Sequence, residues 1–258
     1  MSIFSKILPP ALRWYIREFH AARDRSRRSE ATIIHLEAAI DVLLGVPTDF
    51  EALAFNGQNG RQAIFAALLS ALDVRLIVET GTYTGITTGF MARSSGLPVI
   101  SCEVNPRFHA VAKLRLKDVG GARLENVDSR RLLRQLAAEK ANTETPTFFY
   151  LDAHWYGDFP LLEEIAIVAE NWGRFVIMVD DFQVAGDPGY SYDDYGGGEA
   201  LTPEYIEAAV KRYDLSAFFP SMPSSEEAGR RRGCVVLVGR DLVGKVEAVK
   251  SLRRCSTY

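Results

Sequence analysis

Short apolar runs rich in β-branched and aromatic residues recur after residue 74: Arg75 to Glu79, Pro98 to Glu103, Ala122 to Val127, Thr147 to Asp152 and Arg174 to Asp181. Runs of this kind predict parallel strands buried on both faces. Helical periodicity over Phe108 to Lys117, Ser129 to Lys140 and Leu161 to Asn171 fills the gaps between them. Strands alternating with helices of this length imply right-handed βαβ units and a doubly wound α/β sheet. The end of the chain changes character. Leu215 to Phe219 and Cys234 to Gly239 read as two strands, and the polar loop between them, Ser221 to Gly233, is too short for a crossover helix. An antiparallel pair at the sheet edge follows, so the sheet is mostly parallel with an antiparallel last strand. Upstream, Ala31 to Leu44 and Arg61 to Leu72 read as helices. The expected organisation is an N-terminal helical extension over residues 1–70 and one domain over 71–258.

The first 28 residues stand apart in charge. They hold Lys6, Arg13, Arg17, Arg23, Arg25, Arg27 and Arg28 against Glu18 and Asp24, while Phe4, Ile7, Leu8, Leu12, Tyr15, Ile16 and Phe19 recur at steps of three and four, interrupted by Pro9-Pro10. A basic amphipathic helix of this kind packs on its own domain or a partner subunit, giving a homo-oligomer, or makes peripheral contact with an anionic membrane. Across all 258 residues, 30 basic and 33 acidic side chains leave a net charge of -3, which argues against a nucleic-acid partner. Three cysteines without a CxxC pair fit neither a zinc knuckle nor a disulfide framework, and a reducing cytoplasm is the simplest compartment. No apolar run is long enough to span a bilayer, and neither the apolar stretch nor the cleavage site of a secretory signal is present.

Acids close the predicted strands: Glu79, Glu103, Asp152 and the pair Asp180-Asp181, with Asp128 just past the third. In an open parallel sheet ligands bind beyond the carboxyl ends of the strands, so these acids converge on one crevice. Asp128 alone would read as a helix cap. Glu79, Gly81, Thr82, Tyr83 and Gly85 form E-x-G-x-x-x-G between a strand and a helix; the glycines allow a tight turn, and the acid suits a ligand with an ammonium group rather than a pyrophosphate. Glu103 ends the next strand, where a carboxylate accepts both hydroxyls of a ribose, and Asp128-Ser129 can meet an adenine edge. Amino acid, ribose and adenine together describe S-adenosylmethionine.

Over roughly residues 55–240 the sequence resembles the class I S-adenosylmethionine-dependent methyltransferases. Within them it is most similar to small metal-dependent O-methyltransferases of the catechol type and of the macrolide or aminocoumarin sugar type. Asn56-Gly-Gln-Asn-Gly60-Arg-Gln62 resembles the segment leading to the cofactor's methionine end, Leu151-Asp-Ala-His-Trp155 the fourth-strand motif, and Val179-Asp-Asp-Phe182 the fifth-strand acidic pair. The resemblance implies a Rossmann-like methyltransferase sheet, cofactor contacts from Gln62 onward, and methyl transfer to a hydroxyl. It also implies a metal triad of Asp152, Asp180 and Asp181, and three carboxylates on neighbouring strands by themselves need a cation such as Mg²⁺. The other reading of these acids is that Asp152 serves only the cofactor while Asp180 or Asp181 caps a helix or pairs with an arginine. The catechol type uses a lysine base after a His-Trp pair, but residues 151–160 contain no lysine, so by position His154 takes the catalytic base role beside Asp152. A histidine that orients others or belongs to the metal shell is the alternative.

Gly186 to Gly198, with five Gly, three Tyr and three Asp, would lie over the crevice as a mobile, acceptor-facing segment, and Ser221 to Gly233, with Arg230, Arg231 and Arg232, is a second rim. His20, His35 and His109 read as surface or core residues, and Trp155 lines the crevice or belongs to the core. The function expected is O-methylation of a small-molecule or sugar hydroxyl. Metal-independent methyl transfer, or a non-catalytic cofactor-binding protein on membrane glycan machinery, is the alternative.

Overall fold

A computed structural model describes residues 10–44, 49–154 and 157–255. The expected amphipathic stretch before Pro10, and Trp155, lie outside the described residues. Among the described residues, ten α-helices and eight strands follow in the order α1 (Pro10–Leu44), α2 (Phe50–Leu53), α3 (Asn59–Leu72), β1 (Leu76–Thr80), α4 (Ile86–Ser95), β2 (Val99–Cys102), α5 (Pro106–Arg115), β3 (Ala122–Glu125), α6 (Ser129–Ala137), α7 (Lys140–Thr143), β4 (Thr147–Leu151), α8 (Leu161–Asn171), β5 (Phe175–Val179), α9 (Pro203–Arg212), β6 (Leu215–Pro220), β7 (Val235–Gly239), α10 (Val243–Glu247) and β8 (Leu252–Arg254).

The strands make one sheet in the order β3-β2-β1-β4-β5-β7-β6-β8. The pairs from β3 to β5 are parallel, and β7 enters antiparallel between β5 and β6. The antiparallel pair expected from the sequence is therefore present, and β8, three residues unforeseen in the pattern, pairs antiparallel to the outer side of β6. The pleat explains the two cores. Leu76, Val78, Phe149 and Ile177 face Leu132, Leu133 and Ile165 of α6 and α8 on one side. Ile77, Phe148, Tyr150 and Met178 face Phe55, Phe65, Leu68 and Phe90 on the other. Side chains alternate across a strand, so both sets come from consecutive residues.

Helix α3 carries Phe65 and Leu68, both fully buried, into the second core. It runs through the expected boundary at residue 70, so Phe50 to Leu72 packs with the sheet. Helix α1 behaves differently: its described contacts are to α5, where Ala38, Ile34 and Val42 meet Ala110, Val111 and Leu114. Asp41 accepts two hydrogen bonds of 2.9 Å from Arg107 and fixes that pairing. None of the helices searched among the described residues is long and apolar enough to cross a membrane.

Candidate active site

The β1–α4 turn is built by backbone necessity. Gly81 sits at φ +86°, and a Cβ there would lie 2.1 Å from the Asp152 carbonyl oxygen; Gly85, at φ +81°, leads into α4. Both positions need glycine's left-handed freedom. Glu79 is buried, and its Oε2 accepts from the Thr88 hydroxyl and, at 2.5 Å, from Ser101. Burial pushes its carboxyl up to about 7. Thr82 is also buried, with its hydroxyl 2.6 Å from that of Ser101.

Glu103 sits where β2 ends and organises the rim. One carboxylate oxygen accepts the Tyr83 N–H and the other the Asn105 N–H, each at 2.8 Å. Tyr83, at φ +47°, leans edge-on against Phe108 with its ring largely exposed. Asp128 caps α6, accepting the N–H groups of Arg130 and Arg131, and the Arg130 guanidinium holds its carboxyl below the usual range. Its observed partners are thus those of the capping alternative. Ser129 is buried beside Glu164, whose carboxyl burial pushes up to about 7. Gln62 donates to the Glu51 carbonyl at 2.7 Å and so ties α3 to the segment before it.

The acidic pair after β5 divides. Asp180 stays in the ladder, its N–H bonded to the Leu151 carbonyl, and keeps the pleat of Met178 toward α3. There it meets Arg61 in an ion pair with both side chains 2% exposed, and accepts from the Tyr150 hydroxyl and from Asn56. Asp180 is thus engaged by a buried arginine, the arrangement of the alternative reading, and is not grouped with Asp152 and Asp181. Asp181 turns the other way on a left-handed backbone, φ +52°. It comes together with Asp152 and His154, one ligand atom of each lying within 4.8 Å of the others.

His154 is the centre of this cluster. It is 7% exposed, and its Nε2 lies 3.7 Å from both Asp152 Oδ1 and Asp193 Oδ2 without a hydrogen-bond partner among the described residues. Burial pushes its imidazole below the ordinary value, although Asp181 and Asp193 pull the other way. The net direction favours the neutral ring, the form a ligand or a base requires. Desolvation, and then the charges of Asp181 and Glu79, push the Asp152 carboxyl above the usual carboxylate range, although its side chain is 33% exposed.

Two participants come from the two expected rim segments rather than from the strand ends. Arg232 donates to Asp181 at 2.6 Å and to Asp193. Its backbone is fixed in turn: the Gln58 amide donates to the Arg232 carbonyl at 2.8 Å and accepts its N–H at 3.0 Å, while Arg61 donates to the Arg232 and Gly233 carbonyls. The resemblance segment Asn56 to Gln62 thus reaches the site through Arg232. Asp193 belongs to the glycine-rich stretch, which the structure shows tied down rather than free. Asp187 binds Ser224, the buried Tyr190 donates to the Met222 carbonyl, and Ser191 bonds to Arg231. Its aromatic Tyr195 donates to Asp193 at 2.6 Å and meets Phe159, which also contacts Tyr205 and the His154 ring. No sequence periodicity marked Phe159 or Tyr205 for this wall. Of the basic run, Arg232 alone turns inward to the acids.

No protein-family profile matches the chain, and no curated protein matches it. Solved structures do. An O-methyltransferase from Bacillus cereus, in complex with S-adenosylhomocysteine, superposes at TM-score 0.51 with 20% identity over 70% of this chain and 81% of its own. The O-methyltransferase TomG from Streptomyces achromogenes, in complex with S-adenosylmethionine, superposes at 0.51 with 19% identity over 69% and 79%. The chain therefore has the Rossmann-like fold of class I S-adenosylmethionine-dependent methyltransferases.

Proposed function

We propose that the protein is an S-adenosylmethionine-dependent O-methyltransferase acting on a hydroxyl of a small molecule or glycan. The observation that carries this reading is the cluster of Asp152, His154 and Asp181 at the carboxyl ends of neighbouring strands β4 and β5, in a fold shared with O-methyltransferases. Ligands of open α/β sheets bind at that end. Glu103 serves the cofactor's ribose, since each of its oxygens spends one lone pair on a backbone N–H and has another for a hydroxyl. Gly81, Thr82, Tyr83 and Gly85 shape the turn for its methionine end, with Glu79 beneath, and Asp128-Ser129 border its adenine. S-adenosylmethionine supplies an electrophilic methyl group.

The two carboxylates suit a hard divalent cation such as Mg²⁺ or Mn²⁺, whereas the imidazole, whose buried Nε2 is unpartnered among the described residues, is a nitrogen donor better matched to a transition metal than to Mg²⁺. Such an ion lowers the pKa of a bound hydroxyl. Asp152, Asp181 and His154 would hold it, and Asp193, oriented by Arg232 and Tyr195, would take up the hydroxyl proton at its Oδ2. The aromatic faces of Phe159, Tyr195 and Tyr205 seat a sugar or phenolic ring beside that carboxylate. A metal-free reading also has a specific support. Arg232 already pairs with both Asp181 and Asp193, leaving the His154 Nε2 as the base that takes the proton directly. Turnover of glycan and phenolic acceptors with labelled cofactor, with and without EDTA, tests both. Loss of turnover in EDTA supports the ion, retained turnover supports the histidine base, and binding of cofactor without transfer to any acceptor refutes the enzyme.

A further inference from the structure

We propose that the chain forms an antiparallel dimer through the outward stripe of α1, an assembly separate from the chemistry above. Around Ile34, Ala38 and Val42 the inner face of this 35-residue helix is occupied by α5. Its outer face presents Ile33, Leu36 and Ile40 with 56, 60 and 53% of their surfaces exposed, at steps of three and four. That spacing is the a/d seam of paired helices, not the wider face of a helix lying on its own domain. In the sequence the same steps continue through Ser29, Ser26, Ala22, Phe19, Tyr15 and Leu12, and forward to Leu43.

The stripe is complementary to its own reverse. Antiparallel alignment about the midpoint between Ser26 and Ser29 sets Leu36 opposite position 19, Ile40 opposite position 15 and the large Ile33 opposite the small residue at 22. Charge selects the same arrangement. Residues 10–28 contain Arg13, Arg17, Arg23, Arg25, Arg27 and Arg28 against Glu18 and Asp24, whereas residues 29–44 contain no lysine or arginine and three acids, Glu30 and the pair Glu37 and Asp41 that share Arg107 of α5. A parallel pair would place like halves together; the antiparallel pair places each basic half along an acidic one, with positions 23 and 30 flanking the seam. An anionic membrane is a poor occupant, because the exposed Ile33, Leu36 and Ile40 lie in the acidic half.

Light scattering behind size exclusion on the full chain is expected to give twice the chain mass. Ile33→Gln with Leu36→Gln and Ile40→Gln is expected to halve it while far-ultraviolet circular dichroism stays unchanged. If that variant fails to fold, a charge exchange decides: Arg23→Glu or Glu30→Arg alone weakens the dimer, and the two together restore it. Orientation is read from thiol cross-linking. Ile40→Cys alone stays unlinked, whereas an equimolar mixture with Tyr15→Cys links. A monomeric wild-type chain at tens of micromolar, self-linking of Ile40→Cys, a charge exchange that leaves the mass unmoved, or a monomer that sediments with phosphatidylserine vesicles overturns the proposal.

Discussion

Asp180→Asn and Asp181→Asn are expected to fail in opposite ways although the two positions are adjacent. Asp180 and Arg61 are each 2% exposed at the side chain, and among the described residues Arg61 meets no other carboxylate, only the Arg232 and Gly233 carbonyls. Removing one charge of a fully buried pair strands the other, at a cost of about 3–5 kcal/mol. For a domain of this size that lowers Tm by roughly 6–20 °C. Asp181 is 18% exposed and keeps a solvent route for its partner Arg232, so its neutralisation costs only about 1 kcal/mol. Divalent-ion binding should follow the reverse order. Mn²⁺ titration followed by electron paramagnetic resonance, run below the lowest Tm, is expected to show binding retained in Asp180→Asn and lost in Asp181→Asn. An Asp180→Asn protein that melts within 2 °C (about 1 kcal/mol or less) of the wild type and no longer binds Mn²⁺ would refute the division of labour.

Three further outcomes are expected. Glu103→Gln keeps an acceptor for one backbone N–H but loses the charge, and calorimetry should show S-adenosylmethionine bound about tenfold more weakly. Glu164 holds its proton longer in the folded state, at about 7, than in the unfolded chain near 4.5. Its stabilising proton is therefore lost as pH rises through that window, and Glu164→Gln should gain on the wild type between pH 4.5 and 7, by at most about 3 kcal/mol in urea unfolding; a difference that shrinks with rising pH has the wrong sign. His154→Ala should lower kcat by roughly 10² to 10⁴, and recovery at high pH in EDTA would identify the histidine as a base rather than a ligand.

Much of this architecture is legible in the sequence because buried parallel strands leave apolar runs that need no partner to be recognised. β2 to β5 lie within the runs read from the chain and β1 extends one residue past its run, with Glu79 next to last in β1 and Glu103 and Asp152 just beyond β2 and β4. The three-residue β8 leaves no such trace, since it exists only through pairing with β6. The convergence of Asp152, His154 and Asp181 follows from strand order. The fate of Asp180 does not: adjacency suggested a shared role, whereas the pleat sends it toward Arg61, a residue whose burial no local pattern reveals. Arg232 was visible as one of three arginines, but its inward turn depends on Gln58, 174 positions away.

The position of β7 has a consequence for synthesis. While the chain emerges, β1 to β5 can assemble as a half-sheet, but the outer edge of β5, Phe-Val-Ile-Met-Val, has no neighbour until Val235–Gly239 arrives. An uncharged edge strand of that composition is a ready template for pairing between chains. Arg232 also follows Asp181 by 51 positions, so the acids stand without their guanidinium through the same interval. The nascent protein passes through a stage with a sticky edge and an unneutralised acidic pocket, both closed by one late hairpin. Ribosome-stalled chains ending near residue 214 should therefore engage chaperones that full-length chains have already left.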